Sequence, residues 1–521
     1  MFGAIADGGQ HSLTQSDLDA NVGKWVGKYE LNDEWDYVGL QEAIYAAFNS
    51  GTLTPNGSSA TKNKQLYIPP GNYRVDKSPT ITEVYGGNIY GAGRFVSVIT
   101  STYPGPAFQT NGCWYTQFTG ITFSGSVAHD GAVFELDGNY DGTHKQGVQG
   151  NTFKDCFFEA NSKVSKAFAI VRRGGNYAQG SENLFLNCHF QSATSAGIYV
   201  SGYNALQNTF IGGNIQNCVN GIYVEAGSIN LDSMGFQNGF QKQIENGGFD
   251  VVLRNSADDH SSVKNCRSES ACFVSSDSNH YVVIDNNNLV NSPPSGEWKP
   301  GSQFSQGAIT RGRTSGNGNG HVHIAMSGGT SGIREPQWPS NGFVTIGNMD
   351  ANSDVLTVAE QAVNTESAKG YGVIVYRAGA SGTPLFSTLK SLTNGRWQLT
   401  DKSAAAVRSA PVRIGPLAMD GGIGWMHYEY DEVITSPTTA VTNNTFKWGR
   451  AKFGGGEVAN NSFARADAFP LLTVKDPSAD PRFTLRNNHV TLNGGWNSGN
   501  PRPYTSSPAS PSISPAHNRA R

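Results

Sequence analysis

The chain has 521 residues, with 38 Lys+Arg against 41 Asp+Glu, only 15% charged residues and a formal charge of -3. That balance argues against a basic face holding nucleic acid or an anionic membrane by bulk charge, and no apolar run reaches the roughly 18 residues of a membrane-spanning helix. Sixty-three glycines and 11% aromatics favour turns and strands and exclude a disordered body.

The opening stretch MFGAIADGGQHS has no basic region followed by an apolar core, so no signal peptide is expected. Residues Tyr37 to Phe48 (YVGLQEAIYAAF) set Leu40, Ile44 and Ala47 or Phe48 on one face at helical spacing, predicting a helix. QLYIPPGNYRV, from Gln65 to Val75, reads as strand, Pro-Gly turn and strand.

A six-residue unit then recurs: apolar, any, small polar, small, any, apolar. It reads FTGITF at Phe118, FKDCFF at Phe153, FLNCHF at Phe185 and FIGGNI at Phe210, with weaker copies at Leu231, Val263 and Ile284. The spacings are 35, 32, 25, 21, 32 and 21 residues. A minimum near 21 lengthened by insertions is the mark of a coil of fixed circumference with loops at its corners. A second unit follows, clearest as GIYVS at Gly197 and GIYVE at Gly221, with AVFELD at Ala132 and AFAIVRR at Ala167 as looser versions. Its alternation predicts strands buried on one face.

The fold class is therefore all-β: a right-handed parallel β-helix, closed at its N-terminal end by the helix, because a bare end exposes strand edges and core. The small position falls at Cys156, Cys188, Gly213, Met234 and Cys266, predicting a buried corner ladder of free thiols. The preceding polar residues Asp155, Asn187, Asn265 and Asn286 are expected to satisfy backbone groups at that corner.

After Asn291, SPPSGEWKPGSQ reads as a linker, and later strands such as YGVIVYRAG and RWQLTD lose the 21-residue period. The expected division is a capping segment over 1–64, the β-helix over 65–300, β-rich C-terminal domain(s) over 301–500 and a Ser/Pro-rich tail over 501–521.

FGAIADG, followed by LQEAI and LYIPPGNYRV, resembles the N-terminal segment of the pectate-lyase-like β-helices of bacteriophage tailspikes and capsule depolymerases. The resemblance covers roughly residues 1–295, with the spacer between FGA and the helix stretched by about twenty residues. It implies a virion protein, homotrimeric and joined to a phage tail or adaptor protein. It also implies a bacterial surface polysaccharide as ligand and the region after 300 as a trimerisation or accessory glycan-binding module.

Glycoside hydrolysis needs two carboxylates about 5–5.5 Å apart for retention or 6.5–9.5 Å for inversion. Alternation turns Phe134, Leu136, Ile198, Val200, Ile222 and Val224 inward, leaving Glu135, Asp137, Tyr199, Ser201, Tyr223 and Glu225 outward. Glu135 and Asp137, two apart on one strand, have Cα atoms about 6.6 Å apart, which suits an inverting pair. Glu225 with Glu245 is the second candidate pair. Tyr140, Tyr177, Tyr199, Tyr203 and Tyr223 gather rings on one flank for stacking on sugars, and Arg172 and Arg173 suit an acidic sugar's carboxylate. The column Ser124, Glu159, Gln191, Gln216, Gln237 and Glu269 reads as a structural amide ladder, and His129–Gly131 (HDG) as a weak catalytic signal. His321 and His323 lack a third ligand at fixed spacing, so neither a metal nor another cofactor is expected. Three readings stay open: an endo-glycosidase, a lyase acting on a uronate-containing glycan, and a non-catalytic glycan-binding fibre.

Overall fold

The computed structural model describes residues 2–3, 40, 43–44, 47–48 and 65–506, with breaks at 139–146, 172–179, 203, 240–241, 244–245, 255–259, 271, 277–280, 291–296, 313–321, 340–342, 359–367, 394–395, 429–430, 435–438, 447–449, 454–455, 466–471, 475–483 and 493–503. The six-residue units lie above one another. Phe118 pairs in parallel register with Phe153, then Phe185, Phe210, Leu231, Val263 and Ile284. The sixth position stacks likewise, from Phe123 through Phe158, Phe190, Ile215, Phe236 and Ser268 to Leu289.

These two columns belong to a first sheet of 13 strands and a second of 12; the second unit builds a third sheet of 13, all parallel. The result is a right-handed parallel β-helix. Its core is a ladder of rings. Phe153 stacks between Phe118 at 4.7 Å and Phe185 at 4.8 Å, with interplanar angles of 4° and 5°. Phe134 and Phe168 from the third sheet meet it edge-on. Each buried ring contributes about 1.5–3 kcal/mol through area removed from water.

Between the two apolar positions the chain turns a corner through left-handed backbone, with φ of 52° at Asp155, 50° at Asn187, 55° at Asn265 and 53° at Asn286. Asn and Asp tolerate that region best among side-chain-bearing residues. Their side chains pair with each other more than with the turn: Asn187 Nδ2 donates to Asp155 Oδ1 at 2.6 Å and Asn286 Nδ2 to Asn265 Oδ1 at 2.8 Å. Backbone groups are served instead by a buried column, Asn151, Asn183 and Asn208. There Asn151 Nδ2 donates to the Cys113 carbonyl and Asn151 Oδ1 accepts from the Thr116 amide. Cys156, Cys188 and Cys266 are free, buried thiols in the corner ladder.

At the N-terminal end Leu40, Ala43, Ile44, Ala47 and Phe48 are helical and share the β-helix core with Leu66 and Ile89. The spacing that predicted the helix is the spacing that buries it.

The coil continues where the sequence reading ended it. Ile284 pairs with Val441 and Leu289 with Phe446, and VTNNTF, VANNSF and LRNNHV extend the stack through Val458 and Leu485. Asn287, Asn444, Asn461 and Asn488 replace the cysteines, each amide donating to the next Oδ1 at 2.9–3.0 Å. Residues 297–428 are thus an excursion between two rungs, not a region following the coil. It holds a four-stranded antiparallel sheet and a closed six-stranded barrel (Phe343–Met349, Val355–Val358, Arg396–Leu399, Leu385–Thr393, Gly372–Val375, Val407–Gly415). Cys272 of the coil packs with Ile324, Met426, Tyr376 and Tyr428 of this unit.

Candidate functional site on the third sheet

Outward from the third sheet, one column runs Gln109, Glu135, Ala169, Tyr199, Tyr223 and Val252. The inward residues Phe134, Leu136, Ile198, Val200, Ile222 and Val224 are all core, as alternation required. Tyr199 and Tyr223 stack 6.1 Å apart at 21°. The Tyr199 hydroxyl donates to Glu225 Oε2, and Glu225 is exposed. Burial, then the Glu225 contact, raises the Tyr199 pKa, so the phenol keeps its proton.

Lys166 joins this cluster and was not singled out from the sequence. Its Nζ donates to the Asp130 carbonyl at 2.8 Å and stands over the Tyr199 ring, 5.0 Å from the centroid. Burial lowers its pKa, while the charges of Asp130, Glu135 and Glu225 oppose that shift. Strict alternation from Phe168 would have turned Lys166 into the core. Ala167 and Phe168 are both buried, however, and this break in alternation puts Lys166 on the outside. The usable signal was a lone lysine in the apolar run VSKAFAIV. His129 lies close by: its Nδ1 accepts from the Gly131 amide at 3.0 Å. Burial lowers its pKa, against the pull of Glu135 and Asp130.

Glu135 and Asp137 share one strand and point away from the core as expected, but are only 4% and 2% exposed, so neighbouring chain covers them. The structure brings together Tyr199, Tyr223 and Glu225, while Glu135 lies two rungs from Tyr199 in the same column. Tyr140, Arg172, Arg173, Tyr177, Tyr203 and Glu245 lie outside the described residues, as does His321. His323 is buried against Trp338 at 4.3 Å, with Nε2 3.1 Å from the Pro339 carbonyl. Among the described residues no group of three His, Cys, Asp or Glu is placed to hold a metal.

No family model and no curated protein sequence matches the chain. Among solved structures it is similar to ORF18 of Geobacillus virus E2, with a TM-score of 0.31, 12% identity and 74% of each chain covered. It is also similar to the tailspike protein of Acinetobacter phage vB_ApiP_P1, with a TM-score of 0.30 and 11% identity over 76% of this chain and 86% of that one. Tailspike protein 2 of bacteriophage CBA120 gives a TM-score of 0.26 and 10% identity over 76% and 74%.

Proposed function

We propose that the chain is a phage-tail depolymerase that binds a bacterial surface polysaccharide along the outer face of the third sheet and cleaves within the glycan chain. The observation that carries this reading is the cluster on the outer face: Tyr199 stacks on Tyr223 and donates to Glu225, and Lys166 stands over the Tyr199 ring, with Glu135 two rungs further along the same column. Sugar C–H faces stack on such rings, and Lys166 suits an acidic unit.

Distance favours one pair among the carboxylates. Glu135 and Glu225 stand three rungs apart in the register, about 14 Å between strands, beyond the roughly 6.5–9.5 Å of an inverting pair. Glu135 and Asp137, about 6.6 Å apart at Cα, fit it, and hydrolysis by that pair is the first reading. Glu225 with Glu245 is the reserve pair. One specific observation favours a lyase instead: Lys166, its pKa lowered by burial, stands over the Tyr199 ring and suits the role of a base taking a proton next to a uronate carboxylate.

On the first sheet Leu184, Leu186 and Ile211 face outward, an apolar strip that supports a homotrimer packed along that flank. Attachment to a phage tail or adaptor and a place in the virion follow from the N-terminal resemblance. The test is digestion of purified bacterial surface polysaccharides, reading reducing ends together with the ultraviolet absorbance of an unsaturated uronate. Reducing ends alone mean hydrolysis, both signals mean a lyase, and neither signal with retained binding means a non-catalytic fibre and overturns the proposal.

A further inference from the structure

The outer face of the second sheet carries a trough that the proposed reaction does not use. Phe157, His189, Asn214, Gly235 and Arg267 follow one another outward in register. Gly235 supplies no side chain to this column. The gap opens into a trough of about 390 Å³ between His189 and Arg267, walled also by Gln237 and Glu269.

The walls are held rigid by pairing along the coil. Gln216 Nε2 donates to Gln237 Oε1 at 2.7 Å, Gln237 Nε2 to Glu269 Oε2 at 3.3 Å, and Arg267 pairs with Glu269 at 2.7 Å. Asn214 Nδ2 donates to Gln237 Oε1 at 3.2 Å, leaving Asn214 Oδ1 buried without a protein partner. A Cβ built at Gly235 would lie 3.1 Å from that oxygen, so any side chain there would press on the Asn214 amide and fill the trough. Phe95, exposed and 4.9 Å from Phe157, continues the face with an apolar ring.

We propose that this trough is a second, non-catalytic subsite for the polysaccharide. It takes one hydroxyl-rich sugar unit, seated in the gap over Gly235 with its hydroxyls facing Arg267, Gln237 and His189. Amides at three successive rungs, Gln191, Gln216 and Gln237, about 4.8 Å apart, suit a polymer whose hydroxyls recur along its length. The competing occupant, a second copy of this chain, fits less well. The centres of stable subunit interfaces are depleted of charge, whereas this trough has Arg267 and Glu269 in its wall, and the apolar strip lies on the first sheet. The inference rests on the polysaccharide-cleaving reading but concerns a different face.

The experiment uses the full chain and a panel of purified bacterial capsular polysaccharides, with surface plasmon resonance for affinity and reducing ends for cleavage. Gly235→Gln fills the trough, and Arg267→Ala removes a wall without touching the backbone. Both are expected to weaken binding of the polysaccharide that the wild type cleaves by roughly tenfold, about 1.4 kcal/mol. Cleavage of the shortest oligosaccharide substrate should stay unchanged. Wild-type affinity in both variants, with cleavage intact, overturns the subsite and leaves the catalytic reading standing. A polysaccharide panel that is never cut overturns both. A changed mass by light scattering in Arg267→Ala would assign the face to subunit contact and overturn the subsite.

Discussion

Asp250 offers a quantitative test of the β-helix interior. Its carboxylate is fully buried: Oδ1 accepts from Asn238 Nδ2 at 2.7 Å and Gln243 Nε2 at 2.8 Å, and Oδ2 accepts from Ser268 Oγ at 2.6 Å. Burial outweighs those donors and pushes its pKa up from 3.8 to about 7. A raised folded-state pKa means the folded chain holds the proton more tightly than the unfolded one. The stabilisation is therefore complete below pH 3.8 and is lost as pH rises through about 7. At about 1.4 kcal/mol per pH unit, that interval amounts to on the order of 4 kcal/mol.

Asp250→Asn mimics the protonated acid. Its carbonyl still accepts from the two amides, and its Nδ2 can donate to Ser268 Oγ if that hydroxyl turns. Urea unfolding measured from pH 4 to pH 8 should show wild-type stability falling relative to the variant, with the variant the more stable at neutral pH. Parallel pH profiles for the two proteins would refute the reasoning, because Asp250 would then be ionised in the fold at no cost.

Glu135→Gln and Asp137→Asn are each expected to abolish turnover while binding and thermal melting stay near wild type; full activity in both moves the assignment to Glu225 and Glu245. Tyr199→Phe removes the donor to Glu225 and should lower kcat while leaving glycan affinity within about threefold, measured by steady-state kinetics and titration. Phe153→Ala breaks the ring ladder between Phe118 and Phe185 and should cost about 3–5 kcal/mol in urea unfolding; a loss under 1 kcal/mol would mean the ladder relaxes freely.

The stacked core was legible because its unit has strong chemistry at fixed places: an aromatic or aliphatic residue at each end and a residue tolerant of left-handed backbone between them. The same unit was present in VTNNTF, VANNSF and LRNNHV. The sequence conceals it, because residues 297–428 separate Ile284 from its next neighbour Val441, which removes the period, and because asparagine replaces cysteine at the small position. Outward orientation on the third sheet was legible for Glu135, Tyr199 and Tyr223 by alternation. Exposure was not, since alternation states which way a side chain points and nothing about what covers it. Lys166 was hidden by a local break in that alternation, set by two successive core residues at Ala167 and Phe168. The Gln column was read as a structural ladder, and its Gln216, Gln237 and Glu269 hydrogen bonds are present. The trough beside it arises from one glycine in the neighbouring column, a signal too small to read from one chain.

The most direct test of the central claim is a crystal structure of the Glu135→Gln variant soaked with oligosaccharides released by the wild-type protein. The account predicts sugar rings over Tyr199 and Tyr223, with a glycosidic oxygen within hydrogen-bonding reach of residue 135 or Asp137. Sugar bound elsewhere, with the third-sheet face empty, would contradict it.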